Sequence, residues 1–117
     1  MENFLGKVAL VTGGASGIGL GMSRAFAARG MKIVIGDLDE TAMTVVEKEL
    51  VAGGVEVLTQ KCDVSSLDAM QALADATIDR FGRLDTVCLN AGVGIPTSAR
   101  NMKLKDWEWI INVDLWG

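Results

Sequence analysis

Short apolar runs recur along the chain and are separated by longer stretches in which apolar and polar residues mix. Continuous apolar runs occupy 7–11, 32–36 and 86–89, whereas 55–60 alternates between apolar and polar positions. A continuous run is typical of a strand that is buried on both faces of a parallel sheet, and alternation is typical of a strand with one exposed face. The pattern therefore predicts four parallel strands, with the third at an edge.

Between the strands, apolar positions recur three and four residues apart, as on one face of a helix. The helical stretches are 18–29, 40–52, 67–81 and a last one that begins near Leu104. The predicted buried faces consist of Ile18, Met22, Ala25 and Phe26 in the first, Ala42, Val45, Val46 and Leu50 in the second, and Leu67, Met70, Ala74, Thr77, Ile78 and Phe81 in the third.

A glycine-rich turn joins the first strand to the first helix and reads Thr12-Gly13-Gly14-Ala15-Ser16-Gly17-Ile18-Gly19. The first N–H groups of a helix have no partner within the helix and carry partial positive charge, so they attract anions. Glycine leaves room for a pyrophosphate because it has no Cβ. The spacing differs from the common Gly-x-Gly-x-x-Gly pattern, and a turn that only reverses the chain is the alternative.

An acidic residue follows the second strand. Asp37 lies 20 residues after Gly17, where the acid of a dinucleotide fold accepts hydrogen bonds from the adenosine ribose hydroxyls. The alternative role, capping the next helix, suits Asp39 better. Neither 13–17 nor 37–39 contains an Arg or Lys that could receive a 2′-phosphate. The predicted cofactor is therefore NAD rather than NADP.

Polar and small residues also follow the third and fourth strands. Asp63 can accept a hydrogen bond from an adenine amino group, while Val64 covers the adenine face. Alternatively, Asp63 only joins the turn before the next helix, which Ser65-x-x-Asp68 could begin as a capping box. After the fourth strand, the small residues of Asn90-Ala91-Gly92 would let the loop pass close to the cofactor, although such residues also suit a simple turn.

Composition narrows the class of protein. Half of the residues are hydrophobic and the net charge is −4, so neither nucleic acid nor an anionic membrane is an expected partner. We expect a cytoplasmic protein, because no secretion signal or membrane-spanning run is evident. The cysteines, Cys62 and Cys88, occur without any histidine, which favours reduced core cysteines over a disulfide or a metal site.

Together these motifs resemble the short-chain dehydrogenase/reductase family. They occur in the family's order and spacing from about Leu5 to Gly117, and end with Asn112-Val113. The resemblance implies an α/β, Rossmann-like, doubly wound sheet with the order 3-2-1-4, and hydride transfer between NAD and an alcohol or carbonyl substrate. It implies that Asn112 is catalytic, holding a water in a proton relay. The cofactor contacts that it implies are Gly13, Ser16, Gly17, Ile18, Gly19, Asp37, Leu38, Asp63, Val64, Asn90, Ala91 and Gly92.

The chain departs from this family because it contains no tyrosine. The family's general acid/base is a tyrosine four residues before a lysine, so the 117 residues are expected to hold the cofactor without catalysing the reaction. A doubly wound domain also needs two halves. We therefore interpret 1–117 as an incomplete domain, the amino-terminal half of a longer protein or a shortened form of one. The alternatives are a non-catalytic NAD-binding or assembly module, and a half-domain that a second chain completes.

The last helix carries apolar residues on more than one face, as expected for a helix that packs on the sheet and also on a partner. The resemblance implies that this partner is another subunit, so a homo-oligomer, a dimer or a tetramer, is expected. The alternative is that the tryptophans fill the core of this half. The fourth strand would form an open apolar edge. The apolar residues of the helix are Trp107, Trp109, Ile110, Ile111, Leu115 and Trp116.

Overall fold

A computed structural model describes residues 3–92 and 99–115 of the chain. Strands and helices alternate along it, as the sequence predicts. The strands are β1 (Val8–Thr12), β2 (Lys32–Asp37), β3 (Val57–Lys61) and β4 (Thr86–Leu89), and the helices are α1 (Gly17–Ala28), α2 (Glu40–Ala52), α3 (Leu67–Phe81) and α4 (Leu104–Asp114), with a 3-10 turn at Ala99–Asn101. Within the described ranges, no helix combines the length and the apolar character that a bilayer span needs.

The four strands form one parallel sheet in the order β3-β2-β1-β4, which confirms the predicted topology. In its register Thr12 pairs with Gly36 on one side and with Leu89 on the other, and Asp37 pairs with Lys61. The carboxyl ends of all four strands therefore lie at the same edge of the sheet. The loops that carry the predicted site residues leave from this edge, so the topology brings them together.

Both faces of the central strands are buried. Ile33 and Ile35 pack on one face with α1 and α2, whereas Val34 packs on the other face with Leu73 of α3. Successive residues of a strand point to opposite faces, so two covered faces require an unbroken apolar run. This packing explains the continuous pattern at 32–36.

All three predicted helix faces are partly wrong. In α1, Ile18 is 79% exposed, and the buried positions are Gly19 and Ser23. Val45 is 64% exposed in α2 and Leu67 is 83% exposed in α3, and Ile78 is exposed as well. The buried positions are instead Met43, with Val46 and Leu50, in α2, and Leu73, with Thr77, in α3. Several sets of positions three and four apart fit a helical period, and the sheet determines which set is covered.

The fourth strand is an edge of the sheet, as predicted. It pairs only with β1 among the described strands, and the side chain of Leu89 at its end is 70% exposed. Helix α4 buries Val113, whereas Trp107, Trp109 and Ile111 remain exposed. Trp116, which the sequence analysis assigned to this helix, lies outside the described residues.

Candidate functional site

A groove with a volume of about 350 Å³ lies at the carboxyl ends of the strands. All the predicted cofactor residues except Gly17 and Gly19 line it. Sequence reasoning missed Gly36, Cys62 and Val113, which line it as well. The lining residues are Gly13, Ser16, Ile18, Gly36, Asp37, Leu38, Cys62, Asp63, Val64, Asn90, Ala91, Gly92 and Val113.

The glycine-rich turn leaves space for an anion at the start of α1. Gly17 has a φ of +54°, and a Cβ built there would meet nothing within 4 Å. The side chain of Ser16, the N-cap of this helix, makes no capping hydrogen bond within the described chain. The Ser16 side chain thus does not satisfy the first N–H groups of α1 as a cap would, and N–H groups at the start of a helix are the groups that bind a phosphate.

Gly19 contributes to this turn through close packing. A Cβ at Gly19 would overlap the carbonyl oxygen of Gly13 and lie 2.5 Å from Nδ2 of Asn90. Helix α1 can approach the turn and the loop after β4 only because this position has no side chain. Gly19 therefore shapes the turn by close packing, although it does not line the groove.

Thr12 joins the turn to the loop after β4. Its buried Oγ1 accepts hydrogen bonds from the backbone N–H groups of Asn90 at 3.0 Å and Ala91 at 3.2 Å, and donates to the carbonyl of Cys88 at 3.5 Å. Nδ2 of Asn90 donates in return to the carbonyls of Thr12 at 3.2 Å and Gly13 at 3.3 Å. Two loops far apart in sequence are thereby fixed to each other.

Ser23 is a second buried hydroxyl that the sequence analysis overlooked. It lies in α1, and its Oγ is 3.0 Å from the carbonyl oxygen of Gly19 and 3.3 Å from that of Gly14. Its side chain is fully buried. A serine on the covered face of an otherwise apolar helix is the signal that could have found it, because a buried hydroxyl needs a partner.

Asp37 lies at the end of β2 with its carboxylate against the turn. Oδ2 accepts from the backbone N–H of Ala15 at 3.2 Å, and Oδ1 accepts from that of Asp39 at 3.0 Å. The side chain of Asp39 caps α2 by accepting from the N–H of Ala42 at 2.9 Å, as predicted. Asp37 is thus free of the capping role, and two backbone donors fix its carboxylate at the groove.

Asp63 both lines the groove and joins the turn before α3. Its Oδ1 accepts from Ser65 twice, from Oγ at 2.6 Å and from the backbone N–H at 2.9 Å, and these bonds hold the pKa of the Asp63 carboxyl below its ordinary value. The predicted capping box at Ser65 is wrong. Ser66 caps α3 instead, accepting from the N–H of Ala69 at 3.2 Å.

Cys62 lines the groove, but its thiol belongs to the buried core. It is buried against Met70 with a sulfur–sulfur distance of 3.5 Å, and burial, with the charge of Asp63, raises the pKa of the Cys62 thiol. Both cysteines are free thiols. No group of three metal-binding side chains occurs in the part of the chain that the structure describes.

Asn112, the predicted catalytic residue, lies in α4 and is exposed. It is not among the groove-lining residues, although the adjacent Val113 is. The structure therefore brings this turn of α4 to the mouth of the groove, and the catalytic role of Asn112 stays a prediction.

The sequence matches a family model described as short chain dehydrogenase over residues 7–117. A 3-oxoacyl-[acyl-carrier-protein] reductase of Synechocystis sp. is 37% identical over all of this chain and 48% of its own length. A CLA biosynthesis dehydrogenase/reductase of Lactiplantibacillus plantarum is 34% identical over 98% of this chain and 40% of its own length. The chain thus spans less than half the length of these curated relatives.

Solved structures are also similar to nearly the whole of this chain. A short chain dehydrogenase/reductase from Burkholderia phymatum in complex with NAD superposes with a TM-score of 0.94 at 39% identity, over 99% of this chain and 41% of the other. A metagenomic short-chain oxidoreductase in complex with NADP gives a TM-score of 0.87 at 36% identity, over 97% of this chain and 52% of the other. The same architecture therefore accommodates either nicotinamide cofactor.

Proposed function

The chain belongs to the short-chain dehydrogenase family, and we propose that its protein is an NAD-dependent oxidoreductase that transfers hydride between NAD(H) and an alcohol or carbonyl substrate. The observation that carries this proposal is the carboxylate of Asp37, which two backbone N–H groups fix at the groove. The chain spans 40% and 48% of the lengths of the two curated relatives. The activity is therefore proposed for the whole protein, with residues 1–117 as its cofactor-binding part.

The negative charge of Asp37 favours NAD over NADP. Each oxygen of Asp37 accepts one hydrogen bond from the described backbone, which leaves acceptor capacity for the ribose hydroxyls. A 2′-phosphate would lose these bonds and meet a like charge. Ser16 and Leu38, which line the groove beside Asp37, carry no positive charge to offset that repulsion.

The groove fits the rest of a dinucleotide. A pyrophosphate would lie at the start of α1, where Gly13, Ser16 and Ile18 line the groove and the first N–H groups of the helix attract an anion. Leu38 and Val64 supply apolar surface for the adenine, and Asp63 supplies an acceptor for its amino group. When bound, the cofactor supplies the hydride or accepts it. The residues of this chain bind and orient it.

We assign Asn112 to the proton relay on the strength of the family resemblance, with its amide holding a water. A carbonyl reduction also needs a proton donor within hydrogen-bond reach of the substrate oxygen. The chain contains neither tyrosine nor histidine, so the 117 residues alone are expected to bind the cofactor without turnover. Replacement of Asn112 by Ala in the full-length protein should lower kcat and leave NADH affinity unchanged.

The proposed assembly is a homo-oligomer in which a second copy covers α4. Trp107, Trp109 and Ile111 expose apolar surface on this helix, and such surface is typical of a contact between subunits. The proposed compartment is the cytoplasm, because both cysteines are free and a reducing environment keeps them so.

Titration of the full-length protein with NADH and with NADPH tests the cofactor assignment, with tryptophan fluorescence as the readout. NADH should bind at least about tenfold more tightly, since two charge-assisted hydrogen bonds and one repulsion separate the cofactors. Tighter binding of NADPH would overturn the preference for NAD. Failure of both to bind would overturn the proposed function itself.

A further inference from the structure

The two hydrogen bonds from Ser65 to Asp63 converge on one oxygen of the carboxylate. Oγ of Ser65 lies 2.6 Å and its backbone nitrogen 2.9 Å from Oδ1 of Asp63. These bonds lower the pKa of Asp63, so the side chain is a carboxylate at neutral pH. An ionised carboxylate only accepts hydrogen bonds. With Oδ1 saturated by Ser65, Oδ2 is the oxygen that remains for a ligand in the groove.

Within the described residues, the hydrogen bond given for the Ser65 hydroxyl is the one to Asp63. Asp63 lines the groove, whereas Ser65 does not. Helix α3 does not use the hydroxyl of Ser65 either, because the side chain of Ser66 caps it. Ser65 instead lines a neighbouring cavity that shares Val64, Ala91 and Val113 with the groove, and its hydroxyl reaches the groove through the hydrogen bond to Asp63.

We propose that Ser65 is a positioning residue for cofactor selectivity, which holds Oδ1 of Asp63 so that Oδ2 accepts from the 6-amino group of a purine and rejects a 6-oxo group. The inference rests on the proposed function, since it takes the bound group to be an adenine dinucleotide. Without the Ser65 hydroxyl, the backbone N–H of Ser65 alone would hold Oδ1, so the Asp63 side chain would be more mobile and its ordering on binding would reduce affinity. A 6-oxo purine would place an acceptor against the carboxylate, which has no proton to donate.

The test compares NADH with reduced nicotinamide hypoxanthine dinucleotide, which carries a 6-oxo group in place of the 6-amino group. Both are titrated against the full-length protein by fluorescence. Substitution of Ser65 by Ala should weaken NADH binding about three- to tenfold, the range for the loss of one ordinary hydrogen bond, because the Ser65 hydroxyl acts on the ligand indirectly. The affinity for the hypoxanthine analogue should change by less than about twofold, so the ratio of the two affinities falls.

Two further variants distinguish a positioning role of Ser65 from a role in folding. S65T keeps the hydroxyl on an exposed residue and should preserve the wild-type ratio. S66A removes the cap of α3 without touching Asp63, so it should lower the melting temperature and leave the ratio unchanged. A positioning role predicts that the ratio responds to Ser65 and not to Ser66.

An equal loss of affinity for both dinucleotides in S65A would overturn the inference, because it would indicate a structural role. Unchanged affinity for NADH in S65A would overturn it too. Wild-type protein that binds both dinucleotides equally well would refute the selectivity of Asp63 while the proposed function stands. Wild-type protein that binds neither would refute the proposed function.

Discussion

Oδ2 of Asp37 accepts a hydrogen bond from the backbone N–H of Ala15 at 3.2 Å, which links the end of β2 to the glycine-rich turn. The residue that we propose selects the cofactor therefore also holds the turn that would bind its pyrophosphate. A change at Asp37 should affect both parts of the site, and the binding of the two nicotinamide cofactors can separate the effects.

Substitution of Asp37 by Ala should weaken NADH binding by about tenfold or more, because the charge-assisted bonds to the ribose are lost. NADPH binding should weaken less or improve, since the repulsion of the 2′-phosphate is removed. D39A is the matched control. It removes the cap of α2 and should lower stability by about 1 kcal/mol without changing the ratio of the two affinities. An unchanged ratio in D37A would contradict the assignment.

Substitution of Gly19 by Ala should destabilise the fold by about 1–3 kcal/mol, the usual cost of forcing extra atoms into a packed site. The new Cβ would overlap the carbonyl of Gly13 and crowd Asn90. Gly21 is in the same helix, and a Cβ there meets nothing within 4 Å. G21A should therefore stabilise the protein by about 0.5–1 kcal/mol through helix propensity. Urea unfolding of both variants measures the difference, and equal effects would refute the close approach at Gly19.

Substitution of Thr12 by Val should cost about 1–3 kcal/mol, because it leaves the backbone N–H groups of Asn90 and Ala91 without their acceptor. T12S keeps the hydroxyl, so it should lose clearly less stability than T12V. NADH affinity should fall in T12V as well, since the loop after β4 lines the groove. A T12V protein as stable as T12S would show that the hydroxyl does not hold the loop.

Substitution of Leu73 and of Leu67 by Ala should distinguish the buried face of α3 from the exposed face by their effects on stability. Leu73 is completely buried under the sheet, whereas Leu67 is 83% exposed. L73A should lose about 2–5 kcal/mol through lost burial and a cavity, and L67A should stay within about 0.5 kcal/mol of the wild type. Chemical denaturation of both variants provides the comparison. A large loss in L67A would mean that further protein covers this end of the helix.

Acid should destabilise the protein through Asp85. Its carboxylate accepts from the Arg83 guanidinium and the backbone N–H of Val8, which lowers the pKa of Asp85 to about 2. The unfolded value is about 3.9. Because the folded pKa is the lower one, the stabilising contribution is complete above about pH 4 and is lost as the pH falls towards 2.

Melting temperatures measured across this pH range test the role of Asp85. The loss of stability on acidification should be smaller in D85N, which has no carboxylate to protonate there. R83A removes the largest cause of the lowered pKa, so its loss of stability should be smaller than in the wild type and should end at a higher pH. A D85N protein whose melting temperature falls as steeply as that of the wild type would assign the acid sensitivity to other groups.

The elements and the positions of most candidate site residues could be predicted because their signals are local. A strand that is buried on both faces must be an apolar run, as in 32–36, and a turn that admits a phosphate must have room at Gly17. The position of Asp37 after the second strand then follows from chain order, because parallel strands end at one edge. None of these inferences requires knowledge of which distant residues touch.

The sequence by itself thus determined the alternation of strands and helices, the position of the third strand at an edge of the sheet and the edge at which the groove lies, while the strand order came from the family resemblance. Only the tertiary structure decided that Leu73 rather than Leu67 is buried, since a helical period fits several faces and the sheet covers one. It also decided that Thr12 holds Asn90 and that Ser65 holds Asp63 while Ser66 caps the helix. Adjacent serines have the same chemistry, and a hydroxyl's partner depends on the distances and angles that the folded backbone imposes.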